Sequence, residues 1–214
     1  MIIPKLHYIS QGNSTKEHLE NIQKACTSGA ELVQLRLKSV SEKKLLKFAK
    51  EAREITSHFQ TRLIINEHYK IAKEVKADGV HLEEIASCPT KTRQHLYTWQ
   101  IIGGTANTLQ DCKTLIDKEV DYISLGPYTS TTTADSLYPV LGLNGYTEIT
   151  KTLKTKTPII GIGNIKVDDV TDILETGISG VAVSQEITRN FNIIRTFNQL
   201  LNASSTEEQR YTFK

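Results

Sequence analysis

Three observations in the sequence predict a single (β/α)8 TIM barrel. Short apolar runs alternate with amphipathic runs eight times in 214 residues, roughly 27 residues per unit. A small device recurs at Gly29–Arg36, Asp78–Glu83, Asp121–Gly126 and Gly177–Ser184: Gly or Asp stands before an apolar strand, and a polar residue or glycine follows it. No GxGxxG turn opens the first unit, which puts the doubly wound open sheet behind the barrel.

The elements follow in order. Lys5–Ser10 reads as the first strand, and Gly12 to Thr15 as a loop that caps a helix over Lys16–Thr27. Gly29 ends that helix before a second strand, Leu32–Arg36. Ser39 or Ser41 caps a long helix whose Leu45, Phe48, Ala49, Ala52 and Ile55 recur at helical spacing. Arg62–Asn66 is a third strand, with a short helix at His68–Lys73. Asp78–Leu82 is a fourth strand, and Thr90–Leu96 a weak helix. Gln100–Gly103 is the fifth strand, with a helix over Leu109–Lys118. Tyr122–Leu125 is the sixth, halted by Gly126-Pro127 and followed by a hydroxyl-dense loop, Thr129 to Thr133. A helix from about Tyr146 to Leu153 leads to the seventh strand, Pro158–Ile162. Val167–Glu175 is helical, Gly180–Val183 is the eighth strand, and Ile193–Leu201 the last helix. The barrel spans 1–202, and a polar tail over 203–214 reads as loose.

Composition narrows the class of function. Hydrophobic content of 38% and charged content of 23% suit a soluble globular protein. With 26 basic and 24 acidic residues the net charge is +2, which argues against nucleic-acid or membrane partners. Cys26, Cys88 and Cys112 are widely spaced, which fits a reducing compartment rather than a disulfide or zinc framework. The first residues lack the pattern of a signal peptide, so the cytoplasm is the expected location. The outer helix faces leave a homo-oligomer open.

Active sites of such barrels lie where strands end. Those positions hold Gln34, Arg36 and Lys38; Asn66 and Glu67; His81 to Glu84; and Gly103 to Asn107. They continue with Gly126 to Thr133; Gly161, Gly163 and Asn164; and Ser184 to Glu186. Cations, amides, hydroxyls and glycines with few acids suit a phosphorylated or pyrophosphorylated ligand. Alternation turns Gln34, Arg36 and Lys38 to one side, to bind an anion or to serve a structural ion network. His81 reads as a hydrogen-bonded core histidine.

Together the segments Gln34–Lys38, Leu63–Glu67, Ala77–Leu82, Ile101–Thr105, Val120–Pro127, Thr131–Thr133, Pro158–Gly163 and Gly180–Ser184 resemble the thiamine phosphate synthase family and its thiazole tautomerase branch. The likeness runs over about residues 4 to 200. It implies a transferase that joins hydroxymethylpyrimidine diphosphate to hydroxyethylthiazole phosphate, with Mg²⁺ on the diphosphate and release of pyrophosphate. By the same resemblance Gln34, Arg36 and Lys38 hold pyrimidine and diphosphate, Asn66 contacts the diphosphate, and Thr105 lies beside the pyrophosphate. Thr131 and Thr133 bind the thiazole phosphate with the backbone of Gly163, Val183 and Ser184. Catalytic weight falls on Arg36, Lys38 and Thr105, and metal binding on Glu67, with Glu83 or Glu84 as a further ligand.

The chain departs from that pattern at several places. Glu67 stands where the family usually has aspartate, Ala86 where a second metal aspartate is expected, Ala134 for a lysine, and Asn164 for the second glycine of a Gly-Gly-Ile turn. Asn107 replaces the histidine that the tautomerase branch implies. The alternatives are therefore an isomerase of that branch, or an impaired paralogue that binds a phosphorylated ligand.

Overall fold

The computed structural model describes residues 2–83, 88–130 and 138–211, with side chains described as far as Asn202. The strands are β1 Leu6–Ile9, β2 Leu32–Leu35, β3 Arg62–Asn66, β4 Gly79–Leu82, β5 Ile101–Ala106, β6 Tyr122–Leu125, β7 Ile159–Ile162 and β8 Gly180–Val183. All pairings are parallel, and β1 returns to β8 to close the barrel. The expected fold is the one observed.

Strand alternation explains the two cores. Val33, Leu35, Leu63, Ile65, Val80, Ile123 and Val181 face outward and pack under the helices. Ile9, Leu32, Ile64, Ile101, Tyr122, Ile160 and Ala182 face inward and fill the barrel. The inside is a packed plug, so a ligand is confined to the rim.

The helices are α1 Thr15–Thr27, α2 Glu42–His58, α3 Tyr69–Glu74, α4 Pro89–His95, α5 Leu109–Asp117, α6 Gly142–Leu153, α7 Val170–Glu175, α8 Gln185–Arg189 and α9 Ile193–Tyr211. Ser14 caps α1 by accepting from the Glu17 amide, and Thr108 and Asp111 form a reciprocal capping box on α5. Of the two serines open as the cap of α2, Ser41 takes the role, while Ser39 adopts a left-handed φ of 55°. Three boundaries differ from the sequence reading by more than one residue. β5 runs on to Ala106, because Gly104 and Ala106 still point outward under α5, and α6 starts earlier, at Gly142. The short α8 carries too little apolar periodicity to be seen, with Ile187 its one buried residue. The backbone of α9 continues to Tyr211, past the expected break at 202.

The repeated device before the strands has two physical causes. Asp78 Oδ2 accepts the Leu63 amide at 2.8 Å and Arg53 Nη1 at 2.6 Å, which ties β4 to β3 and α2. Asp121 Oδ2 does the same for the Ile102 amide at 2.7 Å and Arg93 Nη2 at 2.6 Å. These acids replace backbone acceptors where a strand begins. Gly29 and Gly177 instead supply φ values of 92° and 91° just after α1 and α7. At this same amino end, Tyr97 and Trp99 stack with centroids 5.7 Å apart on the loop before β5. Trp99 is 43% exposed there.

Candidate active site

Above the apolar plug, inward polar side chains form a continuous arc across β2, β3, β4 and β5. Gln34 Nε2 donates to Asn66 Oδ1 at 2.6 Å. Asn66 sits in register beside His81, and His81 Nε2 lies 2.9 Å from Thr105 Oγ1. His81 Nδ1 lies 3.0 Å from the Tyr122 hydroxyl. Gln34 and His81 are buried, while Asn66 and Thr105 are partly open. The expectation that His81 is a hydrogen-bonded core histidine describes this arrangement.

A charged tier stands one side chain further out. Arg36 donates its Nε–H to Glu83 Oε1, and the Glu83 amide donates to Glu67 Oε1. Glu67 holds a left-handed φ of 60°, anchored by its own amide on the His81 carbonyl at 2.8 Å. That conformation costs roughly 1–2 kcal/mol in a residue with a Cβ, a strain typical of working rims. Lys38 lies past the end of β2 and is exposed. Gln34, Arg36, Asn66, Glu67, Glu83 and Thr105 thus gather on one half of the mouth.

The other half is built mainly of backbone. The Tyr128 amide donates to the Ile162 carbonyl at 2.8 Å and the Thr129 amide to the Gly163 carbonyl at 3.1 Å, which laces the loops after β6 and β7 together. Gly163 has φ 118°, and a Cβ there would stand 2.6 Å from the Tyr128 nitrogen, so this position requires glycine. Asn164 has φ 50°, a conformation asparagine tolerates better than most residues, so the missing second glycine leaves the turn intact. The Val183 side chain packs outward, leaving its backbone to the rim, and Ser184 Oγ donates to Gln11 Oε1 at 3.4 Å. Thr131, Thr133, Glu84, Ala86 and Ala134 lie outside the described residues.

Burial governs the ionisation of the interior. It pushes the His81 imidazole down to about 3, with the charge of Arg36 adding to the effect. His7, beneath it, is lowered to about 3 by burial against an opposing hydrogen bond to the Pro4 carbonyl. The Tyr122 phenol is pushed up, first by burial and then by Asp121. The arc is therefore uncharged near neutral pH, and positive charge is confined to the outer tier.

Tyr122 is the site-associated residue that hydropathy concealed, since an aromatic within an apolar strand reads as core. Its signal was the facing glycine. Gly103 is its partner in register, and a Cβ on Gly103 would lie 2.1 Å from the Tyr122 ring. Asn107, at the end of β5, donates Nδ2–H to the Gly126 carbonyl at 2.6 Å.

Residues 6–187 match the family described as thiamine monophosphate synthase. The chain belongs to that family. It is 40% identical over 199 residues to the thiamine-phosphate synthase of Flavobacterium psychrophilum, covering 92% of this chain and 97% of the relative. It is 34% identical over 200 residues to that of Bacteroides fragilis, covering 92% and 98%. A solved thiamine phosphate pyrophosphorylase from Pyrococcus furiosus has the same fold, with TM-score 0.79 at 24% identity over 92% of this chain and 96% of that one. Membership of the thiamine monophosphate synthase family agrees with the resemblance carried by the strand-end segments.

Proposed function

We propose that this transferase of thiamine biosynthesis joins hydroxymethylpyrimidine diphosphate to hydroxyethylthiazole phosphate through the residues of the carboxyl rim. The observation that carries the reading is the continuous arc Gln34–Asn66–His81–Thr105, roofed by Arg36. A neutral, buried floor suits a flat heteroaromatic ring, and a cation above it suits a diphosphate.

In this reading a thiazole nitrogen attacks the pyrimidine methylene carbon, a C–N bond forms, and the C–O bond breaks with its electron pair leaving on pyrophosphate. Gln34 and Asn66 orient the pyrimidine and the first phosphate. Arg36 and Lys38 hold the diphosphate, and Thr105 donates to the oxygens on which charge grows, which is where stabilisation accelerates the step. Thr131 and Thr133, with the backbone of Gly163, Val183 and Ser184, take the thiazole phosphate.

The donors present fit Mg²⁺. Glu67 and Glu83 are hard oxygen ligands joined through the Glu83 amide, and Mg²⁺ is commonly held by one or two carboxylates plus substrate phosphates. Glu67 would hold the ion, with Glu83 or Glu84 beside it. When bound, the metal would neutralise charge on the leaving pyrophosphate. An isomerase reading gains no support from Asn107, whose amide is engaged with Gly126 and has no group that titrates near neutral pH to shuttle a proton. A cytoplasmic setting is consistent with three free cysteines. Among the described residues no helix is long and apolar enough to cross a membrane.

The test gives purified protein both phosphorylated precursors with Mg²⁺ and follows thiamine phosphate by chromatography. Product that depends on both precursors is expected. No product at any enzyme concentration would overturn the reading.

A further inference from the structure

We infer that Tyr122 fixes the tautomer of His81 and thereby turns the hydroxyl hydrogen of Thr105 outward, as a donor to the ligand.

Two buried groups, Tyr122 and His81, and the partly open Thr105 share the protons of one hydrogen-bonded row. Among the described residues the Tyr122 hydroxyl has one hydrogen-bond partner, His81 Nδ1 at 3.0 Å. The other imidazole nitrogen lies 2.9 Å from Thr105 Oγ1. Suppose His81 carried its proton on Nδ1. That N–H would point at the phenol oxygen, and the phenol proton, sealed in the barrel with the ring 0% exposed, would have no acceptor. A buried donor without a partner costs about 1–3 kcal/mol. In the other tautomer nothing is wasted: Tyr122 O–H donates to Nδ1, Nε2–H donates to Thr105 Oγ1, and the threonine proton stays available. A doubly protonated ring meets the same objection, since its Nδ1–H would again leave the phenol proton without an acceptor.

The packing holds the phenol to this task. The Tyr122 ring lies 5.5 Å from the imidazole, at 22° between planes, and meets the edge of His7 at 4.9 Å. Gly103 leaves the space its hydroxyl occupies, since a Cβ would stand 2.5 Å from that oxygen. A threonine hydroxyl by itself can donate or accept. Once it accepts from His81 Nε2–H, its own proton is free to point toward the mouth, which suits anionic oxygen. Tyr122 and His81 are thus positioning residues for Thr105.

This inference rests on the reading that Thr105 lies beside the pyrophosphate, and its first test does not use turnover. In protein carrying ¹⁵N-histidine, long-range ¹H–¹⁵N correlation spectra distinguish the tautomers. The chain has six histidines, and the His81 signals are those lost in His81→Gln. Wild-type His81 should be protonated on Nε2 and bare on Nδ1. Protonation on Nδ1 overturns the inference, whatever the activity. The second test is kinetic. Tyr122→Phe should lower kcat/KM for the pyrimidine diphosphate about tenfold, and less than twofold in a Thr105→Ala background, while Thr105→Ser keeps the full response. An equal loss in both backgrounds makes Tyr122 a packing residue and overturns the inference. If Tyr122→Phe does not fold, the spectrum of the wild-type chain decides alone. Wild-type protein that turns nothing over, yet shows the Nε2–H tautomer, fails the functional reading and leaves the relay standing.

Discussion

Arg36, at the end of β2, donates its Nε–H to the Glu83 carboxylate at the end of β4, so the principal cation of the rim is shared with an acid of the same rim. Both side chains are 31% exposed, so the pair is partly in water and its net worth is modest. Its consequence concerns charge. A diphosphate approaching Arg36 also approaches Glu83, unless that acid turns toward a metal.

Arg36→Gln is therefore expected to lower kcat/KM for the pyrimidine diphosphate about 100-fold, by removing the cation and leaving Glu83 unopposed. Adding Glu83→Gln to that variant should restore part of the loss, about three- to tenfold. Steady-state kinetics at fixed Mg²⁺ measure both, and a double variant no better than the single one would show that Glu83 does not repel the substrate.

Restoring the two family residues that the chain lacks, Ala86→Asp and Ala134→Lys, should raise the rate at least tenfold. By the family resemblance, one would add a carboxylate for the metal and the other a cation for a substrate phosphate. Initial rates across a Mg²⁺ titration check this, since the aspartate should also lower the Mg²⁺ needed for half-maximal rate.

The turn after β7 makes a separate prediction about stability. Asn164→Gly should be neutral or slightly stabilising, whereas Asn164→Val should cost about 1–2 kcal/mol, because a β-branched residue resists φ 50°. Gly163→Ala should displace the loop after β6 and weaken thiazole phosphate binding, since its Cβ would collide with the Tyr128 backbone. Urea unfolding and calorimetric titration with the thiazole phosphate separate the two effects.

Acid should unfold the chain through its interior histidines. His7 and His81 sit near 3 when folded and near 6.5 when unfolded, so below pH 6.5 the unfolded chain takes up protons that the folded one refuses. Stability is full above about 6.5 and declines as pH falls toward 3, with a slope of up to about 1.4 kcal/mol per pH unit for each histidine. Urea unfolding at pH 7, 6 and 5 reads the slope, and His7→Asn should flatten it. An unchanged slope would show that His7 is not buried neutral.

The barrel was legible because its period is local. Each strand is a short apolar run, and the turns into four of the eight carry a Gly or Asp whose reason is now physical. Gly29 supplies a left-handed turn, whereas Asp78 and Asp121 accept amides from the preceding strand. The rim was legible as a set of positions, because alternation sends Gln34 inward and Leu35 outward whatever the partners. The pairings on it were not. Arg36 and Glu83 are 47 residues apart, and His81 and Tyr122 41 apart, so only closure of the sheet brings them together. The short α8 escaped because five residues with one buried side chain show no periodicity.

The stacked Tyr97 and Trp99 lie at the amino end of the barrel, and Trp99 is the chain's one tryptophan. A packed apolar plug separates that indole from the carboxyl rim. The protein's tryptophan fluorescence, excited apart from the eight tyrosines, is accordingly an optical gauge of one end of the molecule. It will follow the melting of the loop before β5 and remain blind to a ligand settling beside Thr105. A tryptophan introduced at Tyr128, next to the laced loops, would give the rim a signal of its own.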